Sequence, residues 1–177
     1  MRRTARAVIT TESYYRYAVK EDRGEVHWAD AAVVLLNKPI PGSHAKPYAF
    51  QNAGCSGSTT VTVAGYPSML AGRCHFDGAK QWKSHGNLSC RQLQNGLYAS
   101  SVDSCAGGSG SRVVDATGRV VGIFVAEQMN ARGGCSYNLV VRILDGHHEK
   151  RQPLGVYMRT LLRRLRTPKA RVALASD

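Results

Sequence analysis

Three observations in this chain predict an all-β fold. Residues 59–64, Thr-Thr-Val-Thr-Val-Ala, alternate with a period of two and stop at Gly65-Tyr66-Pro67, as a half-buried strand does. Residues 113–125 read as strand, Gly-containing turn, strand. Residues 31–36 are an apolar run of strand length ended by Pro39 and Pro41, and residues 137–144 read as a further strand.

Taken in order, residues 1–29 hold a tyrosine-rich segment, 14–19, that reads as a strand, and a turn at 22–24. A nucleic-acid surface is the weaker reading of that aromatic-basic mixture. Asp30 then opens the run 31–36, which suits a strand buried on both faces. Between residues 41 and 58 the Pro, Gly, Ser and Asn content marks a long connection, the crossover of a two-unit fold. Three segments follow: residues 1–48, 49–146 and 147–177. Within 74–101 only faint strand signals appear, at 74–76 and 96–99, with polar turns between. Near the end, Met158, Leu161, Leu162 and Leu165 recur at helical spacing among arginines, giving an amphipathic helix stopped by Pro168.

A length of 177 residues allows one ordinary domain or two small packed β-units. The net charge of +12 favours acidic partners but constrains association rather than fold. Nucleic-acid binding by the arginine-rich tail ranks low, because no groove-reading element is evident. No apolar run approaches the roughly 20 residues of a membrane span, and Ala7-Val8-Ile9 is too short for a signal peptide. Cys55, Cys74, Cys90, Cys105 and Cys135 show no Cys-x-x-Cys or finger spacing, so zinc is disfavoured and disulfides in an oxidising compartment are expected. One thiol is left over, which with the missing signal suggests an absent upstream segment.

The stretch 103–112, Asp-Ser-Cys-Ala-Gly-Gly-Ser-Gly-Ser-Arg, is built for chemistry. Small residues around Ser109 let the backbone approach a bound group closely, and such a loop can aim two amide N–H groups at one oxyanion. The plainer alternative is a serine in a glycine-rich approach to a hairpin. Asn87-Leu88-Ser89 is a glycosylation tripeptide of a kind common by chance.

The segment 103–111 followed by Val120-Val121-Gly122-Ile123 resembles the nucleophile segment of the trypsin/chymotrypsin-like serine peptidases. Asp30-Ala31-Ala32-Val33-Val34-Leu35-Leu36 with Lys38-Pro39-Ile40 resembles the segment that carries that family's triad aspartate. Val61-Thr62-Val63-Ala64-Gly65-Tyr66-Pro67 is similar to the strand and turn opening its second barrel. The resemblance spans about residues 14–144. It implies a chymotrypsin-like double antiparallel β-barrel, here with a truncated first barrel and a C-terminal amphipathic helix.

It also implies a serine endopeptidase that acts on protein or peptide substrates without a cofactor or metal, in a secreted or periplasmic setting. Ser109 would be the nucleophile, Asp30 the orienting acid, and the N–H groups of Gly107 and Ser109 the oxyanion hole. Cys105 with Cys135 would brace the substrate pocket, and Asp103 would favour cleavage after Arg or Lys. Apart from the resemblance, Cys74 with Cys90 is read as a second disulfide, with two inert buried thiols as the alternative. Gly108, where digestive members carry an acid, points toward bacterial and glutamyl-endopeptidase-like members. Arg112 replaces a usual proline, and Glu127 stands where small residues line the cleft.

One element of the family pattern is missing from this sequence. The catalytic histidine should precede the aspartate by several dozen residues in an Ala-His context, yet only His27 comes before Asp30. Three residues of extended chain separate them by roughly 10 Å on opposite faces, too far for the required hydrogen bond. His44, His75, His85, His147 and His148 all follow Asp30. An inactive or very weak chain is therefore expected, and a catalytically dead peptidase-fold binding module is the alternative.

Overall fold

The alternation in residues 59–64 buries Val61 and Val63 on one side and turns Thr60 and Thr62 outward. The computed structural model describes residues 3–15, 30–42, 49, 56–67, 80–93, 97–103, 107–131, 135–143, 148–149, 152–153, 156–157, 159–160 and 163. Six strands close into a barrel. They are β3 (Ser58–Gly65), β4 (Trp82–Gln92), β5 (Tyr98–Ser100), β6 (Arg112–Asp115), β7 (Val120–Met129) and β8 (Cys135–Arg142). Their order around the barrel is β3-β4-β5-β8-β7-β6, all pairs antiparallel. Closure leaves no free sheet edge to invite another chain.

Inside lie Val61, Val63, Leu88, Tyr98, Val102, Val113, Val121, Phe124 and Val140, all buried. Volume matching here depends on glycine as well as on bulk. A Cβ on Gly86 would lie 2.6 Å from the Val102 amide nitrogen, so β4 and the segment after β5 approach at a distance that no other residue permits.

Ahead of the barrel, β1 (Ala5–Thr10) pairs antiparallel with β2 (Ala32–Leu36). Ile9, Val33, Leu35 and Ala31 pack against Leu97, Val125, Leu139, Val141 and Tyr157 on the barrel's outer side. β8 is therefore covered on both faces, Val140 inward and Leu139 and Val141 outward, which suits three consecutive apolar residues at 139–141. A short pair, β9 (His148–Glu149) and β10 (Gln152–Pro153), follows.

Several expectations change. Tyr14 and Tyr15 lie in a helical turn at residues 12–15, not in a strand. The Thr11 hydroxyl accepts the Tyr14 N–H at 3.1 Å and its carbonyl accepts the Tyr15 N–H at 3.0 Å. That capping motif outweighs the strand preference of tyrosine. Residues 16–19 and the turn at 22–24 lie outside the described residues.

β1 itself falls in a stretch read as mixed, and the 11-residue β4 falls where polar turns were expected. β4 looks polar because its outward positions, Lys83, His85 and Asn87, face solvent. The faint signal at 96–99 overlaps β5 at Tyr98 and Ala99, whereas 74–76 lies outside the described residues.

Near the end, Val156, Tyr157, Arg159, Thr160 and Arg163 are helical, with Tyr157 buried and Arg159 and Arg163 exposed. The expected apolar face, Met158, Leu161, Leu162 and Leu165, lies outside the described residues. No helix among the described residues is long and apolar enough to cross a membrane.

Candidate active site

The hairpin β6–β7 and the close of β3 build the surround of Ser109. The Gly110 N–H donates to the Phe124 carbonyl at 2.8 Å, the Phe124 N–H to the Ser111 carbonyl at 2.9 Å, and the Ser111 N–H to the Gly108 carbonyl at 3.0 Å. These three bonds fix the exit of the loop on β7. Gly107 (φ 89°) and Gly110 (φ 86°) adopt left-handed backbone that side chains rarely tolerate. Ser109 is thereby held exposed between them. No backbone acceptor among the described residues takes the N–H of Gly107 or of Ser109, so both amides are available to a developing oxyanion.

Ser109 and Gly107 line an open cleft of about 390 Å³ with Gly65, Tyr66, Gln81 and Arg112. The Ser109 hydroxyl donates to the Val125 carbonyl at 3.1 Å. Asp30 lies half-buried just before β2. Ala31, beside it, packs on the cluster that contains Val125, so the strand of the expected acid and the loop of the expected nucleophile meet through one apolar cluster. Among the described histidines, the exposed His85 ring is bound to the Thr62 hydroxyl at 2.9 Å, on the outer face of β3 and β4. His27, His44, His75 and His147 lie outside the described residues.

The entry to the loop is pinned just as firmly. The Asp103 N–H donates to the Ser84 hydroxyl at 2.8 Å, the Asn87 N–H to the Ser101 hydroxyl at 2.9 Å, and the Val102 N–H to the Ser100 hydroxyl at 3.3 Å. The buried Asn138 side chain donates from Nδ2 to the Val102 carbonyl. Sequence reasoning missed Ser84, Gly86 and Asn138. Gly86 alone left a signal, a glycine inside what proves to be a strand.

Asp103 borders a second cavity, of about 220 Å³, with Val63, Gly65, Pro67, Trp82, Lys83 and Ser84. Glu127 occupies β7 opposite Asn138. Its Oε1 is buried without a hydrogen-bond partner among the described residues. Burial, with the Asp103 charge adding to it, pushes the Glu127 carboxyl above the usual carboxylate range. Cys90 is disulfide-bonded. Cys55, Cys74 and Cys105 lie outside the described residues, as does the side chain of Cys135. No group of three or more metal-ligating side chains occurs among the described residues.

The whole arrangement can be matched to known architectures. A Glu endopeptidase in complex with MPD superposes with a TM-score of 0.63 at 17% identity, covering 90% of this chain and 63% of that one. The fold is that of the trypsin/chymotrypsin-like serine proteases. A thermostable serine protease, AL20, from an extremophilic microorganism matches with a TM-score of 0.55 at 15% identity, over 79% of this chain and 61% of that one. This chain thus spans about three fifths of the length of those serine proteases. No family model and no curated protein matches it.

Proposed function

We propose that this chain carries the nucleophile half of a serine endopeptidase, with Ser109 attacking a peptide carbonyl and the Gly107 and Ser109 amides holding the oxyanion. The observation that carries this reading is the cleft itself, which is lined by the exposed Ser109 and by Gly107, two residues whose amides meet no backbone acceptor among the described residues. Asp30 is the proposed orienting acid. The general base has to come from a histidine, and the Ser109 hydroxyl is engaged by the Val125 carbonyl, which can accept a hydrogen bond but cannot take a proton at neutral pH. Turnover by this sequence alone is accordingly at or near the residual level of an enzyme lacking one triad member, about 10³-fold over water.

Labelling by a serine-directed phosphonate tests this. Little reaction is expected with the chain alone, and labelling at Ser109 once a segment bearing a histidine in an Ala-His context is fused upstream. Absence of labelling in the fusion would overturn the peptidase reading. The Ser109–Val125 hydrogen bond favours a second reading, a peptidase-fold module that binds peptides without cleaving them. Retained affinity for an uncleaved peptide, with no labelling in either form, would identify that case.

A further inference from the structure

Neither β3 nor β4 contains an acidic residue. On β4 the alternate positions Lys83, His85, Asn87, Ser89 and Arg91 fall on one side of the strand, and all but the half-buried Ser89 are exposed. Beside them on β3 stand Thr60, in register with Asn87, and Thr62, in register with His85. The Thr60 hydroxyl donates to Asn87 Oδ1 at 3.4 Å, and the Thr62 hydroxyl is hydrogen-bonded to the His85 ring at 2.9 Å. The outer wall of the barrel thus carries a strip with a cation at each end and polar groups between. From Lys83 to Arg91 it runs roughly 27 Å.

Its backbone is fixed. The Cys90 N–H donates to the Gly57 carbonyl at 2.9 Å and the Arg91 N–H to the Ser89 hydroxyl at 3.1 Å, while the register with β3 continues to the Gly65–Trp82 pair. Neither the Lys83 ammonium nor the Arg91 guanidinium makes an ion pair among the described residues. The exposed Arg112 stands in the cross-strand row of Lys83, with Ala64 between them, and adds positive charge at that end. The neighbouring acids belong to other positions. Asp103 meets β4 at Ser84, whose partner on β3 is the buried Val63, and Asp115 is in register with the buried Val61.

We propose that this outer wall binds a linear sulfated polysaccharide lying along β4, with sulfates on Lys83 and Arg91 and sugar hydroxyls on the side chains between. The chemistry of the strip favours this class over other anionic partners. Its residues include no Phe, Tyr or Trp on which the bases of a single-stranded nucleic acid could stack. They include no large apolar side chain to enter a bilayer. A closed barrel offers no strand edge to an acidic peptide. Hydroxyls and an amide between two cations do match a chain of sugar hydroxyls bearing fixed charges. A sulfate presents several acceptor oxygens, which a forked guanidinium meets in pairs, and the net charge of +12 draws such a polymer in. The inference goes beyond the peptidase reading, because it uses neither Ser109 nor Asp30.

The test is fluorescence anisotropy of the full chain with a labelled heparin octasaccharide at about 50 mM salt, and with the same oligosaccharide chemically desulfated. The sulfated form should bind saturably and about tenfold more tightly than the desulfated one. Lys83→Gln and Arg91→Gln should each weaken binding about threefold, and together about tenfold. The slope of log affinity against log salt should fall by about one for each cation removed. Arg6→Gln makes the same change of charge at an exposed position of β1 and should weaken binding by less than about 1.5-fold. Lys83→Arg should keep the affinity. All these side chains are exposed, so unchanged thermal midpoints are expected.

Equal binding of the desulfated oligosaccharide, equal losses from Arg6→Gln and Lys83→Gln, or no saturation would each overturn the proposal. Tighter binding at matched charge to single-stranded DNA, to a polyglutamate peptide or to vesicles of anionic lipid would overturn it as well. Phosphonate labelling of Ser109 is read separately, so failure here and failure of the peptidase reading are distinct results.

Discussion

The barrel and the β1–β2 ribbon solve the same problem, what to do with a sheet's two faces, with unequal means. The barrel closes on itself and fills its interior with buried side chains, nine of them among the described residues. The ribbon has two strands, too few for independent stability in water. It buries one face by leaning Ile9, Val33 and Leu35 on the barrel, and leaves Val8 63% and Val34 51% exposed as a cross-strand pair on the other. The barrel can thus carry the loop of Ser109 as a rigid support, while the strand beside Asp30 borrows its stability from the barrel.

The sharpest way to break this comparison is core truncation. Phe124→Ala should cost about 3–5 kcal/mol and lower the whole unfolding transition in denaturant, whereas Ile9→Ala should cost about 1–2 kcal/mol less than that, because its cluster sits at a seam. Equal losses would mean that ribbon and barrel unfold as one equally dependent body. Next in size is Gly86→Ala, expected to cost about 1–3 kcal/mol by driving a methyl into the Val102 backbone. Its distinctive readout is chemical-shift change concentrated at residues 100–103.

Native-state hydrogen exchange should show the amides of β1 and β2 opening about 2 kcal/mol below those of β3 and β8. Equal protection would contradict a borrowed stability.

The smallest effects concern two carboxylates. A carboxyl with a raised folded-state pKa stabilises the fold at low pH, and that contribution is lost as pH rises through the folded value. Glu127→Gln should therefore raise Tm at neutral pH by about 2 °C, with the gain disappearing below the ordinary carboxylate range. Asp115 has the opposite sign. Burial opposes its charge, but hydrogen bonds from the Thr117 hydroxyl and from the Arg119 and Thr117 amides outweigh that and hold it below the usual range. Asp115→Ala should cost about 1 kcal/mol at neutral pH, and less as acid protonates the wild-type carboxyl.

Legibility in the sequence followed the same division. β3, the β6–β7 hairpin and β8 were readable because each signals locally, through alternation, a turn glycine or a group of branched apolar residues. β4 was not, since Lys83, His85 and Asn87 face water while Ser84 and Gly86 serve the backbone of a neighbouring segment, and none of these adds hydrophobic pattern. β1 was hidden for a related reason, as one of its faces meets solvent.

Ser109 and the glycines around it stood out in the sequence as one hydroxyl among small residues just before a hairpin. Its bond to Val125 and the separation of Asp103 into another cavity come from how β7 and the segment after β5 are placed. No residue type announces such placement.

The bond from Ser109 to Val125 has a kinetic corollary. If it is worth about 1 kcal/mol net, roughly one hydroxyl in six is free at any instant to turn toward an incoming base or carbonyl. Whatever histidine meets this loop would compete with a backbone oxygen for the same proton, and observed nucleophilicity would scale with the fraction of time that it wins.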